Sequence, residues 1–411
     1  YRFNRWRGDI NSFANPLAVL WETNTFLSVL MASVQCTPRA SENLMLTAVF
    51  VPIDEIEGET EGEPVEGEDA EGEGEGELSE GEGEMAEGEG EGEVLEGESE
   101  GELVEGEVEE EGEVESGQLV AVPVGTFKMG RPYTDTGEGD ELPMHYVELD
   151  GYTIGKYPVM NKEFVAVLNW AQGAGYLTDE NNAPYAGVGS VYAYDKPVAS
   201  TQDSNGYAQI TYTAGRFEVR IRETSDDLYF SLAHHPAIYV TWYGAVAYCN
   251  WLSEMEELEP CYDTDDWTLL EPRPSGYRLP TEAEWERAAA WDASGEGKHW
   301  RFGVRSDELS SERANYRLPG SVYANPIQLQ IIPYTSPVGW YNGENPVNRA
   351  TPDTPTIDSA TPAGTYDMAG NVYEWCHDWY QANYYTVLSN NPVPNPTRTI
   401  SGKKSVIRGG T

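Results

Sequence analysis

The chain has 411 residues, with 71 Asp and Glu against 25 Lys and Arg, and this acidity is concentrated in one segment. Residues 54–115 hold 31 acidic residues and no Lys or Arg, so the remainder, with 40 acids and 25 bases, carries a net charge of only −15. Nucleic-acid binding is not expected, because no basic stripe with interleaved aromatic residues is present. No run approaches the roughly 18 consecutive apolar residues of a membrane-spanning helix. Four cysteines are too few for a disulfide scaffold.

Residues 1–52 predict a small β domain. Segments rich in aromatic and β-branched residues alternate with turn clusters such as GDINS and TPRASE, which indicates three strands at most. The pattern resembles one unit of the β repeats of bacterial surface proteins. Because three strands form only a marginal core, we expect earlier repeats to precede Tyr1 in a longer product.

Residues 53–117 predict a disordered linker. The segment consists of EGE units separated by short inserts such as PV, LS and MA. Self-repelling charge and alternating Gly cannot bury enough apolar surface to offset the entropy cost of ordering. Carboxylates are hard oxygen ligands, so weak calcium binding is an alternative role. We expect a solvated, extended spacer.

Residues 118–411 predict a loop-rich α+β domain with few helices. Helical periodicity occurs at residues 161–171, 241–254 and 281–289. The first helix is predicted to begin with a cap at Asn161. In the third, Thr281 and Glu284 are predicted to form a capping box after a proline. Irregular β segments and many Gly, Pro and Asn turns fill the rest.

Eight motifs follow one another through this region in a fixed order. They are VPVGTFKMG at 122–130, DELPMHYVELDGYTIGKYPVMNKEF at 140–164, HPAIYVTWYGAVAYCNWLSE at 235–254, GYRLPTEAEWERAAAW at 276–291, RANY at 313–316, TSPVGWY at 335–341, YDMAGNVYEWCHDWY at 366–380 and IRGG at 407–410. The series resembles the formylglycine-generating (sulfatase-modifying factor) family and implies its variant of the C-type lectin fold. Caps and buried aromatics account for most motif residues, and Arg278 and Glu282 are expected to form a structural ion pair.

The loop YDMAGNVYEW is predicted to bind calcium. Calcium takes six to eight oxygen ligands, and a carboxylate combined with main-chain carbonyls is a usual mixture. The resemblance implies that the ligands are the side chains of Asp367 and Glu374 and the carbonyls of Gly370 and Val372. Asp367 stands where the family has Asn, and this change keeps a ligand oxygen.

A second calcium site of the resembled family would use Asn315 and the carbonyl of Tyr316. It would also need an acid and a backbone oxygen upstream of TSPVG. Here that stretch reads QLQIIPY and offers no acid. The second site is therefore expected to be incomplete.

Catalysis in the resembled family depends on two cysteines that bind copper, engage the thiol of a substrate peptide and use oxygen to leave an aldehyde. Soft thiolates select Cu(I), which explains the need for a cysteine pair. The pair lies shortly after the RGG motif, and this sequence ends at Thr411. Copper is expected only if two cysteines follow downstream.

The cysteines and histidines in the sequence do not replace that pair. Cys249 and Cys376 are predicted to be ordinary buried thiols. Cys261 lies in the acidic loop ELEPCYDTDD, whose negative field should raise the pKa of its thiol. Cys36 belongs to the N-terminal segment. The five histidines show no spacing typical of a zinc site or a facial triad.

Two functions remain open. The first is an oxidase that converts a cysteine of a sulfatase-like protein or peptide substrate to formylglycine, complete only with the downstream cysteine pair. The second is a non-catalytic extracellular lectin-like module that holds a ligand or a partner protein on a spacer. We expect an extracytoplasmic bacterial protein, secreted or at the cell surface. Fold alone does not choose between them.

Overall fold

The computed structural model describes residues 118–132, 139–204, 206–223, 229–294, 297–316, 326, 333–348, 352–398 and 404–410, and the backbone of three short N-terminal strands. The chain divides into one unit of residues 1–56 and 114–411 and a second unit of residues 57–113. The second unit, which includes most of the predicted linker, lies outside the described residues. The linker, the β repeat and the domain boundaries therefore stay predictions.

Strands of two to ten residues are scattered along the described chain. They are β1 (Ser28–Leu30), β2 (Glu42–Met45), β3 (Val49–Val51), β4 (Leu119–Val122), β5 (Gly125–Met129), β6 (His145–Leu149), β7 (Gly151–Gly155), β8 (Ser190–Ala193), β9 (Lys196–Ser200), β10 (Ile210–Thr213), β11 (Arg216–Val219), β12 (Ile221–Glu223), β13 (Tyr229–Ser231), β14 (Trp291–Asp292), β15 (Lys298–His299), β16 (Gly370–Trp379) and β17 (Ser405–Gly410).

Helices are few among these strands. They are α1 (Asn161–Ala174), α2 (Trp242–Met255), α3 (Glu282–Ala290) and α4 (Tyr384–Asn390), with a 3₁₀ turn at Gly139–Glu141. Antiparallel pairs β5–β6, β8–β9, β10–β11, β12–β13 and β14–β15 form separate small sheets. Larger sheets have the orders β2–β7–β4 and β1–β3–β16–β17. The predicted loop-rich α+β class is confirmed, and no helix of the described chain is long and apolar enough to cross a membrane.

The start of α1 differs from the prediction. Asn161 is the first helical residue and not the cap, because its buried side chain donates a hydrogen bond to the Leu232 carbonyl at 2.9 Å. The amide of Met160 is instead satisfied by the Glu163 carboxylate, at 2.7 Å. The helix ends where Gly175 adopts a left-handed φ of 82°. A side chain that reads locally as a cap is thus used for a long-range contact.

The backbone of helix α2 lies very close to the backbone of strand β9. Thr241 caps it by accepting a hydrogen bond from the amide of Gly244 at 3.0 Å. A Cβ atom at position 244 would lie 2.0 Å from the Val198 carbonyl oxygen. Glycine is therefore required there for the backbones to approach each other. The predicted helix is confirmed within one residue at each end.

The helix α3 begins with the predicted capping box. The amide of Glu284 donates to Thr281 Oγ1 at 3.3 Å, and the amide of Thr281 donates to Glu284 Oε2 at 2.7 Å. Arg278 adds two contacts of 3.0 Å to the same carboxylate. The expected pairing of Arg278 with Glu282 is wrong, because the capping turn points Glu284 back at Arg278. Glu282 instead pairs with Arg408 at 2.6 Å.

Substituting Thr281 by alanine is expected to lower the free energy of unfolding by about 1 kcal/mol, because one amide of the first turn loses its acceptor. Urea denaturation followed by circular dichroism measures this loss as a lower midpoint at unchanged slope. Thr281→Ser keeps the oxygen and should lie close to the native protein. Equal midpoints for the alanine and serine variants would contradict the capping role.

Candidate functional site

The segment from Asp367 to Asn371 forms a tight turn that ends in the first two residues of β16. Asp367, Gly370 and Asn371 have left-handed φ angles of 61°, 79° and 55°. Three such residues among five reverse the chain sharply, and a Cβ at Gly370 would lie 2.4 Å from the Asn315 carbonyl oxygen. The turn therefore packs tightly against the segment that contains Asn315.

A β-bulge follows the turn. In the pairing of β16 with β17, Gly370 is opposite Gly410 and Tyr373 is opposite Gly409, with a register shift between them. A bulge leaves backbone groups outside the regular ladder. The Val372 carbonyl oxygen lies beside Gly409, 3.4 Å from where a Cβ would stand. The predicted carbonyl ligands of Gly370 and Val372 thus lie in an irregular part of the strand.

Glu374 is a completely buried carboxylate on β16. Its Oε2 accepts a hydrogen bond of 2.5 Å from the indole nitrogen of Trp285 on α3. Its Oε1 accepts none from the described residues. Burial raises the pKa of Glu374 well above its usual range, and the negative charge of Asp367 raises it further, while the indole bond opposes them. An ionised Glu374 therefore needs a cation.

Asp367 is also buried, with 8 % of its surface exposed. Its Oδ2 accepts from the amide of Gly339 at 2.6 Å, and its Oδ1 lies 3.5 Å from Nδ2 of Asn371. Burial raises the pKa of Asp367 to about 6, against the lowering effect of the Gly339 amide. The two predicted side-chain ligands therefore share a buried region and repel each other when both are ionised.

Asn315 lies against this same loop. Its backbone carbonyl accepts a hydrogen bond of 2.6 Å from the Asn371 amide, and its side-chain nitrogen donates to the Tyr334 carbonyl at 2.8 Å. Tyr316 is buried, and its hydroxyl donates to the Leu309 carbonyl at 3.3 Å. The stretch upstream of TSPVG falls mostly outside the described residues, so the second calcium site stays a prediction.

The sequence motifs did not identify three further polar groups around the loop. Asn371 exchanges hydrogen bonds with the backbone of Ser336, at 3.0 and 3.2 Å. The hydroxyl oxygens of Ser336 and Tyr341 are buried, and neither has a hydrogen-bond partner among the described residues. Burial raises the pKa of Tyr341, and the negative charge of Asp367 raises it further. Nothing in local spacing connects Ser336 and Tyr341 with the loop, because they lie far from it along the chain.

The oxygen atoms at the loop are suitable ligands for a hard cation. Two carboxylates and main-chain carbonyls, with no thiolate or imidazole, form a ligand set typical of calcium. Glu374 Oε1 is buried and accepts no hydrogen bond from the described chain, so it is the atom to which such an ion would bind. No group of three or more His, Cys, Asp or Glu side chains that could hold a metal occurs among the described residues. Carbonyl oxygens would therefore have to supply the remaining ligands of such an ion.

The three described cysteines are fully buried. Cys249, Cys261 and Cys376 have no exposed surface. Burial raises the pKa of the Cys249 and Cys376 thiols well above the ordinary value. The thiolate is the form that binds copper and attacks, so these cysteines are poorly suited to oxidase chemistry. The prediction of buried thiols at positions 249 and 376 is confirmed.

Comparison with known proteins identifies the family. The chain is 29% identical over 295 residues to a serine/threonine-protein kinase, pkn1, of Chlamydia pneumoniae, covering 71% of this chain and 32% of that protein. It is 28% identical over 302 residues to the formylglycine-generating enzyme of Thermomonospora curvata, covering 73% and 83% respectively. The chain thus spans about a third of the kinase's length and most of the enzyme's.

Among solved structures, PvdO from Pseudomonas aeruginosa aligns with a TM-score of 0.41 at 21% identity, covering 72% of this chain and 82% of that one. The profile of the sulfatase-modifying factor enzyme 1-like domain matches residues 104–411, three quarters of the chain. The chain therefore belongs to the sulfatase-modifying factor enzyme 1-like (FGE-sulfatase) family.

Proposed function

We propose that the described domain is a calcium-stabilised binding module for a protein or peptide segment. The calcium site is proposed because of Glu374, which is a fully buried carboxylate. One of its oxygens accepts a hydrogen bond from an indole, and the other has no hydrogen-bond donor in the described chain. A buried ionised carboxylate is costly unless it is paired or binds a metal. Calcium would pair with this charge.

The residues that would hold the ion are the side chains of Asp367 and Glu374 and the carbonyls of Gly370 and Val372. A bound calcium ion would supply the positive charge that allows both carboxylates to ionise together. It would also connect the turn at Asp367 to β16, and the pairing of β16 with β17 would extend that stabilisation to the end of the described chain. Its role here is structural.

Thermal melts with calcium and with chelator test this proposal. At a free concentration one hundred times the dissociation constant, binding adds about 2.7 kcal/mol, so we expect the melting temperature to rise by several degrees. Glu374→Gln should abolish the rise, because the amide carries no charge. Glu180→Gln, at an exposed turn residue, should retain it. An unchanged melt for the native protein removes Asp367 and Glu374 from the list of ligands.

A second candidate function is oxidation of a substrate cysteine to formylglycine. It is supported by the family membership and by the relative named formylglycine-generating enzyme. Because Cys249, Cys261 and Cys376 are buried, this chemistry would belong to a copper-binding cysteine pair downstream of Gly410. Where the full-length protein has such a pair, incubation with a sulfatase cysteine peptide, copper, oxygen and a thiol reductant should convert the CH2–SH group to an aldehyde. The sulfur leaves as hydrogen sulfide, and the thiol reductant, oxidised to a disulfide, supplies the other two electrons that reduce oxygen to water.

The same incubation distinguishes the two candidates. Peptide binding that depends on calcium, without any aldehyde in the mass spectrum, supports the binding module. Aldehyde formation supports the oxidase. An extracytoplasmic location agrees with either function, since extracellular calcium modules work with dissociation constants of about 0.1–1 mM. A site with two carboxylates is consistent with affinity in that range.

A further inference from the structure

We propose that Trp285 is the positioning residue of the calcium loop, holding Glu374 so that its Oε1 is the oxygen left for the cation. This inference rests on the proposed calcium site. The two residues are 89 positions apart and lie on α3 and β16, and the indole nitrogen donates to Glu374 Oε2 at 2.5 Å. An indole N–H can only donate a hydrogen bond, so the carboxylate oxygen must be the acceptor.

Trp285 is itself held rigidly. Its side chain has no exposed surface, and it lies in the first turn of α3, directly after Glu284 of the capping box. The capping box and the two contacts from Arg278 fix the position of that turn. A donor on a fixed helix restricts the rotamers of Glu374 before any ion arrives. Such orientation of a ligand by a neighbouring donor raises affinity for a metal.

Arg408 does not pair with Glu374, although the two residues are neighbours. The two residues are directly opposite each other in the pairing of β16 with β17, where a salt bridge would be natural. The guanidinium instead binds Glu282 and Glu286, each at 2.6 Å. It also lies over the Trp285 ring, 5.1 Å from the centroid. Glu374 therefore receives a neutral N–H donor where a cationic partner would have competed with calcium.

The test is a calcium titration by calorimetry of the native protein and of Trp285→Phe and Glu374→Gln. We expect Trp285→Phe to weaken calcium binding about tenfold. Glu374→Gln removes the charge of the carboxylate that Trp285 holds, so it should abolish calcium binding. Trp251→Phe is the matched control: it removes a fully buried indole that donates to Tyr194 at 3.2 Å, and calcium affinity should be unchanged.

The outcomes separate this inference from the proposed function. If the native protein binds no calcium, the calcium site itself is wrong. If it binds and Trp285→Phe binds equally well, the positioning role is overturned. Should Trp285→Phe fail to fold, site-specific benzothienylalanine keeps the shape of tryptophan without the N–H. Native affinity in that protein would reject the inference, and a tenfold loss would support it.

Discussion

Replacing Arg408 by methionine is expected to lower the free energy of unfolding by about 3–5 kcal/mol, the cost of leaving buried charges without their partner. The Arg408 side chain has no exposed surface, and its two terminal nitrogens bind Glu282 Oε1 and Glu286 Oε2 at 2.6 Å each. The Tyr385 hydroxyl accepts a third hydrogen bond at 3.2 Å. Without the guanidinium, two carboxylates of α3 would face each other in the core.

Denaturation with urea measures the loss, and a charge-free variant distinguishes electrostatics from packing. Arg408→Met combined with Glu282→Gln and Glu286→Gln removes all three charges and should regain much of the stability. Arg408→Lys keeps the charge but cannot reach both carboxylates with one planar fork, so an intermediate value is expected. A loss below about 1 kcal/mol for Arg408→Met would mean that the network contributes little.

The elements that the sequence predicted correctly are those encoded over a few residues. The capping box of Thr281 and Glu284 depends on positions three residues apart. The helix α2 also follows from helical periodicity, although every residue from Gly244 to Ser253 is buried and not one face alone. The short helix Tyr384–Asn390 was missed, since seven residues give too few turns to show a period.

The contacts that the sequence could not predict join distant segments. Trp285 reads as a core residue of a helix, and only the fold brings its indole to Glu374. Glu282 and Glu284 are both acidic residues at the start of α3, and their different partners depend on whether each faces Arg408 or Arg278. Asn371 is one residue of a motif, yet it connects the Asp367 turn to Asn315.

The loop predicted to bind calcium, Asp367 to Glu374, lies between these two cases. The motif identifies Asp367 and Glu374 by resemblance, and the structure adds that both are buried and that Glu374 has an oxygen without a donor in the described chain. Asn315 was assigned to a second site by the same resemblance. The fold brings its carbonyl onto the first loop, since the Asn371 amide binds it at 2.6 Å. Which ligands group together is therefore a property of tertiary packing.

The pH dependence of stability is determined by buried groups with opposite effects. Burial raises the pKa of Glu163 from 4.5 to about 7, so the unfolded chain releases its proton first and stability is lost as pH rises from about 4.5 to 7. Burial lowers the pKa of His235 and His377 from 6.5 to about 3, so stability is gained as pH rises between those values. A plot of the native protein's free energy of unfolding against pH therefore contains both contributions together.

Glu163→Gln isolates the carboxylate contribution. The amide oxygen can still accept the hydrogen bond from Met160, now 2.7 Å from the carboxylate, but the side chain no longer titrates. Relative to the native protein, the variant is expected to gain on the order of 3 kcal/mol as the pH is raised from 4.5 to 7.5, since each pKa unit is worth about 1.4 kcal/mol. Urea midpoints at several pH values in chelator measure the difference. Glu180→Gln, at an exposed turn, should show no such divergence, and parallel curves for Glu163→Gln and the native protein would contradict a neutral buried Glu163 below pH 7.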